Sequence, residues 1–207
     1  MIERNATVED WMESRILQLS SYLYPFKTEE LFSKSLPLEI EIGCGNGSFL
    51  INYAQKHPDL NLIGVERLLG RVRKVDRKAG RAESTNIRLL RLDAYYLLKY
   101  LIPDESIQAI HIYFPDPWPK RKHLKKRLIQ EGFPLLCTRI LETGGTVHLR
   151  TDHEHYFRQM EEVFTSENSI FVRTDTPKAI LELETEFEVG FKRQGCTTYA
   201  TAFQKKD

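Results

Sequence analysis

From Leu38 onward the chain alternates short apolar runs with segments of helical periodicity, and this alternation limits its possible folds more than any other feature. LEIEIG (38–43), LNLIGVE (60–66), NIRLLRL (86–92), IQAIHIYF (107–114) and TVHLRT (146–151) read as strands. Helical patterns lie over 46–57, 67–82, 94–100, 124–141 and 153–164, and further extended stretches fall near 169–174 and 196–204. Strands separated by helices predict an α/β fold: a mostly parallel seven-stranded sheet with helices on both faces. Ligands of such sheets sit beyond the carboxyl ends of the strands. Each of the first five strands ends on a carboxylate: Glu41, Glu66, Asp93, Asp116 and Asp152. Residues 1–35 read as a leading helix and arm, and 36–207 as one domain.

Between the first strand and its helix runs Glu41-Ile42-Gly43-Cys44-Gly45-Asn46-Gly47. Three glycines there allow a tight turn and close approach of backbone to a ligand. A dinucleotide fingerprint needs a further glycine where Ser48 stands, so the spacing differs from a pyrophosphate-binding loop. The acid two residues before the first glycine suits a cationic ligand, S-adenosylmethionine, better than NAD. Glu66 can accept two ribose hydroxyls, and Asp93 can accept from an adenine amino group. Cys44 lies inside this loop and reads as a small filler rather than a nucleophile.

Phe114-Pro115-Asp116-Pro117-Trp118-Pro119-Lys120 follows the fourth strand, and alternate prolines make it a stiff extended loop. Trp118 there can stack on a base or pack as a core indole. Arg121-Lys122-His123-Leu124-Lys125-Lys126-Arg127 comes next, a run of cations with no acid. A second basic segment runs from Arg67 to Arg81 with Asp76 as its single acid, while acids gather in 154–167 and 182–188. The net charge of +1 names no partner, but this polarity can present a basic face to a polyanion, and phosphate backbone is the natural one.

No apolar run approaches the roughly 18 residues of a membrane span, and no secretory signal is read at the start. Three scattered cysteines suggest neither zinc nor disulfides, so no metal and a cytoplasmic setting are expected. His153 and His155 flank Glu154, yet helical residues at i and i+2 point apart, which argues against shared ligation. Tyr95 and Tyr96 can wall the pocket or cap the core.

PDPWPKRKHLKKRL, with EIGCGNG, GVE, RTD and Thr185-Glu186-Phe187-Glu188, resembles the bacterial tRNA (guanine-N7-)-methyltransferase family from about Leu38 to Ala202. The resemblance implies a Rossmann-like class I methyltransferase fold and methyl transfer from S-adenosylmethionine to N7 of the variable-loop guanine of tRNA. It implies that Glu41, Gly43, Gly45, Gly47, Glu66, Asp93 and Asp116 hold the cofactor, and that Asp116 is also catalytic. Lys120, Asp152, Thr185, Glu186, Phe187 and Glu188 become substrate-binding positions. Lys122, His123, Leu124, Lys125, Lys126 and Arg127 become the tRNA contacts. Many members carry Lys where this chain has Asn46, and Phe187 can also be a packing anchor. Two rivals remain: a methyltransferase for exocyclic amines, and a non-catalytic RNA-binding module of the same fold. Monomer and homodimer are both compatible with the sequence.

Overall fold

The computed structural model describes residues 14–167 and 169–206. Seven strands form one sheet in the order β3-β2-β1-β4-β5-β7-β6. They are β1 Leu38–Ile42, β2 Asn61–Val65, β3 Ile87–Leu90, β4 Ile107–Tyr113, β5 Leu141–Thr151, β6 Phe171–Thr174 and β7 Tyr199–Lys205. Neighbours from β3 across to β5 are parallel, and β7 runs antiparallel to both β5 and β6. The longer helices are α1 Ser48–Lys56, α2 Leu69–Arg81, α3 Phe133–Ile140, α4 Glu154–Phe164 and α5 Glu186–Arg193.

Every residue of β1 and β2 is buried, because helices cover both faces of a parallel sheet. Successive side chains go to opposite faces. Ile40, Ile42, Ile110 and Ile112 pack with Phe133, Tyr156 and Met160 on the α3–α4 side. Leu62 and Leu89 pack with Phe49, Leu50, Val72 and Val75 on the α1–α2 side. That second side also receives Glu39, Glu41, His111, His148 and Arg150, an unusual polar load for an interior. The order reverses direction between β1 and β4, and a crevice opens there at the strands' carboxyl ends.

Several boundaries differ from the sequence pattern. The helix expected over 124–141 is two pieces, a 3-10 turn Arg121–Lys126 and then α3, which starts at Phe133-Pro134, where proline's missing N–H costs nothing. Strand β5 begins at Leu141, ahead of the glycine pair, with a register irregularity against β4. The short turn Lys178–Leu181 and α5 fall in a stretch that the sequence pattern leaves unassigned, although Phe187 and Phe191 stand one helical turn apart.

Much of the leading helix expected over 1–35 lies outside the described residues. Over 14–35 the only helical turn is Thr28–Glu30. Arm and sheet pair instead: Leu17 N–H donates to Leu89 O and Leu89 N–H to Arg15 O, both at 2.8 Å. This covers the free edge of β3.

Candidate active site

A cavity of about 720 Å³ occupies the crevice, a size in the range of nucleoside and cofactor sites. The glycine turn forms one wall, with Gly43 at φ +76° and Gly45 at φ +55°. A Cβ at Gly43 would meet nothing within 4 Å, so its glycine serves the turn and leaves space above it. Gly47 has a different part. Its φ is +75° and a Cβ would lie 2.6 Å from Val75 Cγ1, so it lets α1 and α2 approach and does not line the cavity. Asn46 starts α1: its Oδ1 accepts from Ser48 N–H at 3.0 Å and Ser48 Oγ at 2.7 Å.

Glu66, Asp93 and Asp116 line this cavity together. Glu66 Oε1 accepts from Leu68 N–H at 2.9 Å, and its Oε2 lies 3.6 Å from Arg71 Nη1, which leaves lone pairs free toward the cavity. Asp93 Oδ1 accepts from Tyr96 N–H at 3.0 Å, fixing the carboxylate at the head of the turn Ala94–Tyr96. Asp116 is exposed. Glu41 lines a recess of about 20 Å³ whose walls share Gly43, Gly45, Tyr113 and Phe187 with the large cavity. Glu41 is 4% exposed, and among the described residues its Oε2 has no hydrogen-bond partner. Burial pushes its carboxyl up to about 8, against the nearby Arg150 guanidinium and a Leu50 backbone hydrogen bond.

The proline loop forms the facing wall, and Phe114 (φ +52°) and Trp118 (φ +39°) both sit in the left-handed region. Non-glycine residues stay there only where the surroundings hold them. Phe114 N–H donates to Arg150 O at 2.8 Å, and Arg127 Nε donates to Pro117 O at 2.7 Å. Trp118 is half-buried, with Lys126 Nζ 4.7 Å from its ring centroid and His123 edge-on at 5.6 Å. It lines the cavity rather than packing in the core.

Arg127 departs from the expectation that the whole 122–127 run faces outward. It is 3% exposed, bonded also to Gln159 Oε1 at 2.6 Å and lying 4.6 Å over the Tyr156 ring. It ties the proline loop to α4, while Lys122, Lys125 and Lys126 are exposed; His123 and Leu124 are half-buried. Glu188 also turns inward, where it is 5% exposed and receives Arg150 Nη1 at 2.9 Å. Thr185 Oγ1 accepts from Glu188 N–H at 3.1 Å and caps α5, and Glu186 N–H reaches Ser48 Oγ at 3.2 Å. Phe187 is 54% exposed and hangs over the glycine turn, with Cε2 3.9 Å from where a Gly45 Cβ would lie. Lys120 is exposed and Asp152 half-buried, and neither lines the cavity.

His153 caps α4 by accepting from Tyr156 N–H, whereas His155 faces Arg127 Nη1 at 3.1 Å, so the two imidazoles serve separate partners. Burial and the carboxylates of Glu41 and Glu66 hold the Cys44 thiol well above its ordinary range. A proton-holding thiol in the core is a packing residue.

Sequence reasoning missed Tyr113 and Arg150. Tyr113 OH pairs with His111 Nδ1 at 2.8 Å, and His111 Nε2 with Glu39 Oε2 at 2.7 Å. The signal was available as polar residues at alternate positions of strands that must be buried on both faces: LEIEI, IHIY and VHLR.

Among the described residues no helix is long and apolar enough to cross a membrane. Structures of 16S rRNA methyltransferase KamB (TM-score 0.57, 12% identity, covering 99% of this chain and 96% of that one) and of precorrin-6y C5,15-methyltransferase from Geobacter metallireducens GS-15 (TM-score 0.55, 14%, 84% and 82%) are similar in fold. The architecture is thus the Rossmann-like class I methyltransferase fold. The family model described as "Putative methyltransferase" matches residues 35–201. tRNA (guanine-N(7)-)-methyltransferases of Pectobacterium atrosepticum and Nitrosospira multiformis are 34% and 36% identical, covering 87% and 85% of this chain and 77% and 78% of theirs. The Thermotoga maritima relative is 33% identical over 88% of this chain, which spans 58% of that protein's length. By family model and by these relatives, the chain belongs to the tRNA (guanine-N(7)-)-methyltransferase family.

Proposed function

We propose that this chain transfers a methyl group from S-adenosylmethionine to N7 of the variable-loop guanine of tRNA, in the cytoplasm. The observation that carries the reading is one shared cavity: Gly43, Gly45, Glu66 and Asp93 line it with Asp116, Trp118 and Lys126. Donor-side and acceptor-side chemistry therefore meet in one space.

The residues fit the donor. Glu41 is a buried carboxyl with an unpartnered oxygen, a site whose cheapest satisfaction is a cation or a donor N–H. Glu66 would accept the ribose hydroxyls, Asp93 the adenine amine, and the open face of Gly43 would let backbone pass close beneath the donor. When bound, S-adenosylmethionine supplies a methyl group activated by its sulfonium.

The protein's own work is positioning and charge. Guanine N7 has a free lone pair, so no residue need deprotonate it. Methylation leaves positive charge on the purine, and the Asp116 carboxylate at the cavity stabilises that charge as it develops. A carboxylate can also accept from guanine N1–H and N2–H, which adenine lacks. Trp118 offers a ring face to the base. Lys122, Lys125 and Lys126 stand exposed beside it for phosphates. A base held in tRNA tertiary structure must be drawn out before it reaches such a cavity.

The test is incubation with labelled donor and unmodified tRNA, followed by nucleoside analysis and aniline cleavage after reduction. N7-methylguanosine in the variable loop is expected. A methylated exocyclic amine, or donor binding without transfer, would overturn the reading.

A further inference from the structure

Several exposed cations of this protein are paired with carboxylates, and others stand singly. Lys27 meets Glu30, Arg158 meets Glu154, Arg173 meets Glu161, Lys178 meets Glu182 and Lys192 meets Glu184. Helix α2 differs in gathering four unpaired ones on a single element. Arg73, Lys74, Arg77 and Arg81 are exposed, and among the described residues none has a carboxylate partner. Its one acid, Asp76, is used elsewhere, accepting from Arg15 N–H at 2.9 Å and Ser14 Oγ at 3.1 Å. Arg71 is engaged near Glu66, and Lys78 Nζ donates to Asn46 O at 3.1 Å.

These four charges lie outside the buried stripe of α2, which Val72, Val75 and Ala79 supply. Arg73 with Arg77, and Arg77 with Arg81, stand at i,i+4, where like charges repel. An unpaired, self-repelling stripe is stable in company with an anion. The helix also begins at the cavity: Arg67, Leu68 and Arg71 line it together with Trp118 and Lys126. From that rim its 13 residues run for roughly 20 Å. The other large group of unpaired cations, Lys120 to Lys126, borders the same cavity through Lys126.

We propose that the outer face of α2, with Arg73, Lys74, Arg77 and Arg81, is a second docking surface for the tRNA phosphate backbone, distinct from the 120–126 loop. The RNA then spans the cavity mouth, held on two sides of the base that enters. This rests on the tRNA reading above and extends it: two separated anchors fix the orientation of a large polyanion, which one short loop does not.

The experiment compares the full chain with a variant carrying Arg73→Gln, Lys74→Gln, Arg77→Gln and Arg81→Gln. Affinity for unmodified tRNA is measured against salt concentration, and donor affinity is titrated as a folding control. Each phosphate contact contributes roughly 0.7–0.9 to the slope of log affinity against log salt. The variant should lose about 2–3 from that slope and bind tRNA at least tenfold more weakly at low salt, with donor affinity within twofold. Replacing Arg73, Arg77 and Arg81 by Lys should keep the slope. An unchanged slope and affinity in the glutamine variant overturns the docking surface while the tRNA reading stands. A wild-type chain that does not bind tRNA overturns both.

Discussion

The guanidinium of Arg150 and the carboxylate of Glu188 lie 2.9 Å apart, both nearly removed from solvent, across 38 residues of chain. Arg150 also donates to Leu183 O at 2.9 Å and to Ile180 O, so one side chain at the end of β5 holds the whole 180–188 segment against the sheet. Breaking such a pair leaves Arg150 with carbonyl acceptors only, or Glu188 with only the part-exposed Lys192 at 3.3 Å. Arg150→Met and Glu188→Leu should each cost about 3–5 kcal/mol in denaturant unfolding, and the double variant clearly less than their sum. Single costs below about 1 kcal/mol would show that the pair does not hold the segment.

Glu41 makes stability depend on pH in a stated direction. Its carboxyl is raised from 4.5 to about 8 by burial. Below about 4.5 the folded and unfolded chains both hold the proton; as pH rises from there to about 8 the unfolded chain alone loses it, so stability falls across that window. Glu41→Gln should flatten this fall and, without donor, be more stable than wild type at pH 8. A cationic donor favours the ionised form, so donor binding near pH 7 should release a proton in wild type and none in Glu41→Gln. Calorimetry in buffers of different ionisation enthalpy reads this directly. Equal proton release by both chains would remove Glu41 from the donor site.

Asp116 is exposed and, among the described residues, has no hydrogen bond or ion pair, so Asp116→Asn should leave the unfolding midpoint unchanged. Loss of the charge facing the methylated purine should lower kcat about 100-fold or more, with a smaller change in donor affinity. A kcat within threefold of wild type would take Asp116 out of the chemistry.

The three glycines of the turn separate by substitution. Gly47→Ala adds backbone strain and a methyl 2.6 Å from Val75, so it should lower stability by about 2–3 kcal/mol. Gly43→Ala meets no neighbour and should cost only about 1–2 kcal/mol of left-handed strain. It should weaken donor binding more than Gly47→Ala does. The opposite ranking in donor titrations would move the donor away from Gly43.

Arg127 and the lysines before it look alike in sequence but should fail differently. Arg127→Met releases Pro117 O and Gln159, so thermal stability and turnover should drop while the salt slope of tRNA binding stays near wild type. Lys122→Gln with Lys125→Gln should leave the melting temperature unchanged and reduce the slope by about 1–2. A slope change in Arg127→Met as large as in the lysine pair would mean that Arg127 meets phosphate after all.

The sheet and its ligand edge were legible because a parallel sheet writes itself as apolar runs at helical intervals. Three of the five strand-end acids, Glu66, Asp93 and Asp116, fell around one cavity as their positions implied. Direction was not legible. Arg127 sits in a run of like cations, and only the nearness of α4 turns it inward. Glu188 looks as solvent-facing as Glu186 until Arg150 is brought beneath it by the fold. Helix α5 is short and acid-rich, and what pins it, the Thr185 cap and the Arg150–Glu188 pair, comes partly from elsewhere in the fold. The Glu39–His111–Tyr113 chain stands at alternate positions of its strands, and neighbours on both sides keep it dry.

The two left-handed residues bracketing the proline loop set the two walls of the cavity apart. A glycine turn is at ease in its shape by local sequence alone, so that wall would survive transplantation to any strand-and-helix junction. Phe114 and Trp118 are not at ease; Arg127 and the Arg150 carbonyl compel them from other parts of the chain. Anyone grafting the acceptor wall onto another scaffold must carry β5 and α4 along, because the seven residues by themselves would relax into a different curve.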